Sequence, residues 1–185
     1  MKDIKVPFAW EVRVGHISAN PVSVSLKADE KERAALARFW EIEAVEKLEA
    51  DLQLTRWKRD GVKMKGIVRA RIEQACVVSL EPVFSDIREE VEVVFVPEGS
   101  KLARIPANDS GEMILDPDGP DLPELFTGDS IDVGAAVAEQ VALAIDPYPR
   151  KPGASFGERI ESTATDDKKP NPFAVLQGLK GKDQG

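Results

Sequence analysis

Residues 44–73 read AVEKLEADLQLTRWKRDGVKMKGIVRARIE. Leu48, Ala50, Leu52 and Leu54 alternate with Glu49, Asp51, Gln53 and Thr55. A period of two sends apolar side chains to one face of a strand and polar ones to the other. Arg59-Asp60-Gly61 follows, and Asp-Gly between alternating runs signals a hairpin. The alternation then resumes, with Val62, Met64, Gly66, Val68, Ala70 and Ile72 on the core side and Lys63, Lys65, Arg69 and Arg71 on the other. The stretch therefore predicts an antiparallel hairpin, Ala44–Trp57 returning as Val62–Glu73, with one face on a core.

Outward from this hairpin, Ile87 to Val96 repeats the pattern, and Ile4–Val14 and Val22–Leu26 read as earlier strands separated at Asn20-Pro21. Val77–Leu80 reads as a short strand ended by Glu81-Pro82. Asp29 to Trp40 predicts a helix: Asp29 caps it, Glu32 completes a capping box, and Ala35, Leu36, Phe39 and Trp40 form an apolar stripe for the core. Ile131–Ile145 predicts a second, well-buried helix, capped by Ser130 and stopped by Pro147 and Pro149. The fold class expected is α+β, a mostly antiparallel sheet or open barrel with two packed helices and a disordered C-terminal tail.

A chain of 185 residues fits one domain, expected over residues 1–150. Within it, residues 97–129 are rich in Pro and Gly, and Asp109 to Asp132 holds eight acidic residues and no Lys or Arg. That composition predicts an acidic, mobile loop. Residues 151–185 read as a flexible tail carrying a docking motif at 170–180, where Phe173, Leu176 and Leu179 share one face of a short helix. Its binding surface is either a partner or the chain's own domain.

The sequence offers little for catalysis. Its one histidine, His16, would have to serve any triad or imidazole metal site alone. The one cysteine, Cys76, permits no internal disulfide, has no partner for zinc and reads as a buried structural thiol, as expected in the cytoplasm. No glycine-rich phosphate loop occurs, and no cofactor or metal is expected. Residues 1–10 lack the apolar core of a secretory signal, and no apolar run approaches a membrane span. Neither a membrane nor DNA is expected as a partner.

Charge carries the positive signal. The net charge of −8 repels nucleic acid at long range and attracts basic proteins. Against that background, Arg56, Lys58, Arg59, Lys63, Lys65, Arg69 and Arg71 face only Asp60 along the sequence, and Trp57 sits beside the turn. A basic hairpin with an aromatic at its end suits phosphate contact and base stacking, so these eight residues are the candidate RNA-binding set. The competing reading is cross-strand pairing with Glu49, Asp51, Glu90 and Glu92, which neutralises the strand cations more readily than those at the tip.

Three stretches in order resemble the YceD family, bacterial proteins named for large ribosomal RNA subunit accumulation. They are residues 69–83 (RARIEQACVVSLEPV), residues 131–149 (from Ile131-Asp132-Val133-Gly134 to Asp146-Pro147-Tyr148-Pro149) and Asn171-Pro172-Phe173-Ala174-Val175-Leu176. The resemblance runs from about residue 40 to the end. It implies a cytoplasmic protein needed for normal amounts of 23S ribosomal RNA, and no known reaction. Some members carry a Cys-x-x-Cys where this chain has only Cys76, so no metal or redox role is carried over. The expected function is a non-enzymatic factor in large-subunit assembly that binds precursor ribosomal RNA, a basic ribosomal protein, or both. The alternatives are an acidic adaptor that binds only a basic ribosomal protein, and a processing nuclease, for which no site is recognisable.

Overall fold

Alternating apolar positions give this chain a sheet with one wet face, and helices cover the other. The structure, a computed structural model, describes residues 6–18, 20–103 and 122–155. Its elements run β1 (Glu11–Arg13), β2 (Val22–Lys27), α1 (Glu30–Phe39), β3 (Ala44–Trp57), β4 (Gly61–Ala75), β5 (Pro82–Pro97), β6 (Glu124–Phe126), β7 (Ser130–Asp132) and α2 (Val133–Ala144). The chain divides into two units, Met1–Pro152 and Gly153–Gly185, and all these elements lie in the first. The central part of the acidic segment and the 170–180 motif, with Phe173, Leu176 and Leu179, lie outside the described residues.

The main sheet has the order β2-β3-β4-β5-β6; β2 to β5 are antiparallel and β6 joins β5 in parallel. It is an open sheet, and β1 pairs separately with β7. The predicted period of two holds: Leu48, Ala50, Leu52 and Leu54 of β3 and Val62, Met64, Val68, Ala70 and Ile72 of β4 are all buried. α1 packs on β3 and α2 on β4 and β5, closing the core over this inner face. Gly66 belongs to it by register, opposite Leu52. A Cβ there would sit well inside 3.0 Å of the Asp51 carbonyl oxygen and 2.9 Å from Leu52, so the two backbones approach more closely than any other residue would permit.

Helix α1 begins as expected. Glu32 N–H donates to Asp29 Oδ1 and Asp29 N–H to Glu32 Oε2, both at 2.8 Å, a complete capping box. Its buried residues are Leu36 and Ala37, with Trp40 half-buried. Phe39, expected in the core, is 41% exposed. The reason is angular: at 3.6 residues per turn, positions 33, 36, 37 and 40 share the face toward β3, and Phe39 falls beside it.

Several local expectations are corrected. Residues 77–80 form a turn, not a strand, and β5 starts at Pro82, opposite Ala75. Proline tolerates the first position of a strand because no ladder donor is required of it there. Among the described residues of the early segment, only Glu11–Arg13 is strand, since β7, its partner, is three residues long. Within the segment read as a loop, Glu124–Phe126 pairs with Phe95–Pro97, a strand too short for periodicity to reveal. Asp132, not Ser130, caps α2: its carboxylate accepts from Ala135 N–H, while Ser130 is paired in β7.

Candidate functional site

The basic residues of β3 and β4 divide into two groups by position. Lys63, Lys65, Arg69 and Arg71 project from the outer face of the sheet, where cross-strand carboxylates meet them. Lys65 lies opposite Glu92 and pairs with it at 2.7 Å; Lys63 reaches the other oxygen of the same carboxylate. Arg69 binds Asp51 at 2.8 Å. Arg71 spans three strands, with Nε on Glu46 at 2.7 Å and its guanidinium on Asp86 at 3.1 Å. The two lysines hold the Glu92 carboxyl below its ordinary range, and Arg69 then Ser25 do the same for Asp51. These pairs are solvent-exposed, contribute little net stability, and are therefore exchangeable.

Glu46 reaches Arg71 because the register slips between Val45 and Lys47, a bulge that alternation along β3 does not reveal. Glu90, named from sequence as a partner, makes no ion pair among the described residues.

The second group occupies the hairpin tip. Trp57 pairs with Gly61, leaving Lys58, Arg59 and Asp60 as a three-residue loop. Its left-handed residue is Lys58, at φ 53°, rather than the glycine. Gly61 is needed for a different reason: a Cβ there would lie 2.8 Å from the Trp57 ring, which packs on its backbone. Lys58 Nζ sits 4.1 Å from the centroid of that ring, a cation–π contact. Ser100 Oγ donates to Asp60 at 3.0 Å, so the one acid of the loop turns toward the β5 end. Arg56, Lys58 and Arg59 are exposed, and among the described residues no carboxylate pairs with them.

A second constellation, absent from the sequence reading, lies where β4 leaves the sheet. The segment after α2 is tied to the β4–β5 turn by four contacts. Gln74 Nε2 donates to the Asp146 carbonyl at 2.9 Å, and Val77 N–H to the Pro149 carbonyl at 3.0 Å. Lys151 N–H points at Cys76 Sγ at 3.4 Å, and its ammonium pairs with Glu81 at 3.1 Å. Cys76 is fully buried, and Ser79 N–H also donates to its sulfur, at 3.5 Å. The Lys151 N–H, with Ser79 and Val78, brings the thiol down to about 6. Gln74 is 7% exposed, and among the described residues its Oε1 has no hydrogen-bond partner. An orphaned buried acceptor costs about 1–3 kcal/mol. The residue also lines a small pocket with Glu41, Glu43, Val77, Pro147 and Pro149, while its Oε1 itself is closed to solvent. Periodicity does not single out Gln74, because its pattern position is that of a core residue.

The elements so joined are residues 74–81 and 146–151, which belong to two separated stretches of sequence. A model of the family described as "Large ribosomal RNA subunit accumulation protein YceD" matches residues 64–180. The chain belongs to the YceD family. No curated protein and no solved structure matches it. The YceD match takes in Lys65, Arg69, Arg71, Gln74, Cys76, Pro147 and Pro149, and begins beyond the hairpin tip at Arg56–Arg59. By its description, the family serves accumulation of the large ribosomal RNA subunit. Among the described residues no helix is long and apolar enough to cross a membrane, and no cluster of three or more His, Cys, Asp or Glu is placed to hold a metal ion.

Proposed function

We propose that this protein is a non-enzymatic factor of the bacterial cytoplasm that supports 23S ribosomal RNA accumulation and large-subunit assembly by holding precursor ribosomal RNA. Contact is through the phosphates, made first by Arg56, Lys58 and Arg59. The observation that carries this is the division of the basic residues: four are met by carboxylates across the sheet, while the three at the tip have none among the described residues. Among the described residues, no ion pair has to break for a phosphate to bind at the tip. Lys63, Lys65, Arg69 and Arg71 join by exchanging a surface carboxylate for a phosphate, at little cost. Trp57 carries Lys58 on its ring, so phosphate binding leaves that pair intact, whereas base stacking requires Lys58 to move away.

The test is binding of the full-length protein to a precursor large-subunit transcript over a range of salt. Counterion release contributes a slope of about 0.7 per phosphate contact on single strands, so Arg56→Ala/Lys58→Ala/Arg59→Ala should flatten it by about 2. The net charge of −8 and the paired outer face favour a second reading, an adaptor for a basic ribosomal protein. In that case the triple variant is silent, and the tagged protein retains a ribosomal protein after nuclease treatment.

A further inference from the structure

We propose that Ser100 and Lys101, in the turn after β5, belong to the same phosphate-binding surface as the hairpin tip: Ser100 positions Asp60, and Lys101 adds a fourth cation. This rests on the RNA reading above and extends it to a second stretch of chain. The tip carries one acid of its own. Asp60 ends the three-residue loop directly after Arg59. A carboxylate there would pair with a neighbouring cation or repel an incoming phosphate. Ser100 Oγ, 40 positions away in sequence, takes it instead, donating to Asp60 Oδ2 at 3.0 Å.

The hydroxyl that does this is itself held. Ser100 N–H donates to the Pro97 carbonyl at 3.0 Å, and residues 101–103 pack on β5. Leu102 N–H donates to Ser100 Oγ at 3.2 Å. That bond occupies a lone pair and leaves the one hydroxyl proton for Asp60. Ser100 and Asp60 are both half-buried, whereas Lys58 and Arg59 are exposed. The acid is thus drawn to the β5 side while the cations keep the solvent side. Lys101 comes next in sequence. It is exposed, and among the described residues no carboxylate pairs with it. Glu98, the acid of this turn, is tied by its N–H to the Phe126 carbonyl at 2.9 Å, on the β6 side of β5. Ser100 meets the tip on the β4 side. One hydrogen bond therefore restrains the acid of the tip and brings a further lysine alongside it. A polynucleotide, charged at every nucleotide, engages cations from both stretches at once.

The experiment is binding of the full-length protein to a precursor large-subunit transcript across a salt series. Ser100→Ala releases Asp60 and should weaken binding about fivefold, the upper size of one exposed charge interaction. Ser100→Thr, which keeps the hydroxyl, should bind as the unaltered protein does. Ser100→Ala/Asp60→Asn removes the released charge and should restore the affinity, which a merely structural role for Ser100 would not allow. Lys101→Ala should flatten the salt slope by about 0.7, the share of one phosphate contact on a single strand. Lys31→Ala removes the same charge from an exposed position on α1 and should leave the slope unchanged. A silent Ser100→Ala, a loss that Asp60→Asn does not restore, or equal slopes for Lys101→Ala and Lys31→Ala would each overturn the proposal. If those results come with a steep slope that Arg56→Ala/Lys58→Ala/Arg59→Ala flattens, this proposal alone falls. If the unaltered protein shows no salt-dependent binding, the RNA reading falls and takes this proposal with it.

Discussion

Asp132 holds Trp10. One carboxylate oxygen, Asp132 Oδ1, accepts from Trp10 N–H at 2.8 Å and from Ala135 N–H at 3.0 Å, while Val133 N–H donates back to the Trp10 carbonyl at 3.0 Å. A single side chain thus caps α2 and fastens the N-terminal segment across it. Asp132→Ala removes both bonds and should cost about 2 kcal/mol, the upper range for a cap. Asp132→Asn, which retains an acceptor oxygen, should recover most of it. Urea denaturation of the two variants checks this; equal losses would mean that charge, not the cap, matters.

Gly66 admits no substitution without moving a strand. Gly66→Ala forces a Cβ against the Asp51 carbonyl and Leu52, backbone and core together, and should destabilise by about 3 kcal/mol. Chemical denaturation reads the loss directly. A change below about 0.5 kcal/mol, the range of a neutral surface substitution, would refute so close an approach of β3 and β4.

Glu41 offers the opposite sign. Ile42 N–H donates to the Ala37 carbonyl at 3.0 Å, closing the end of α1 with Glu41 in the left-handed position. Glu41→Gly relieves that conformation and removes a carboxylate from the helix C-terminus, and should stabilise by about 1 kcal/mol.

Cys76 makes stability depend on pH near neutrality. Hydrogen bonds led by Lys151 N–H lower its thiol from 9.0 to about 6 in the folded chain. The group favours folding when ionised, so its contribution is complete above pH 9.0 and is lost as pH falls through about 6. Thiolate absorbance at 240 nm should titrate near pH 6 in the native protein and vanish in Cys76→Ala, whose stability should also rise less between pH 6 and 9. A native midpoint near 9 would show that the N–H groups do not stabilise the thiolate.

Alternation alone made β3, β4 and the inner face legible, because a half-buried strand must repeat every two residues, and these strands are 14 and 15 residues long. The capping box of α1 was equally readable, since it needs only two side chains three positions apart. The cation-rich hairpin was visible as composition. Which of its cations are met by carboxylates was not, because the partners of Arg69 and Arg71 come from neighbouring strands, and Glu46 reaches Arg71 only through a bulge.

Tertiary structure decided the rest. Val77–Leu80 resembles a strand in sequence but turns, because Val77 N–H bonds the distant Pro149 carbonyl and Leu80 N–H the Cys76 carbonyl instead of a ladder. The environment of Gln74 and Cys76 exists only where residues 74–81 meet 146–151. Local pattern reports which face a side chain takes; it is silent on which remote backbone satisfies a buried amide, here the Asp146 carbonyl for Gln74.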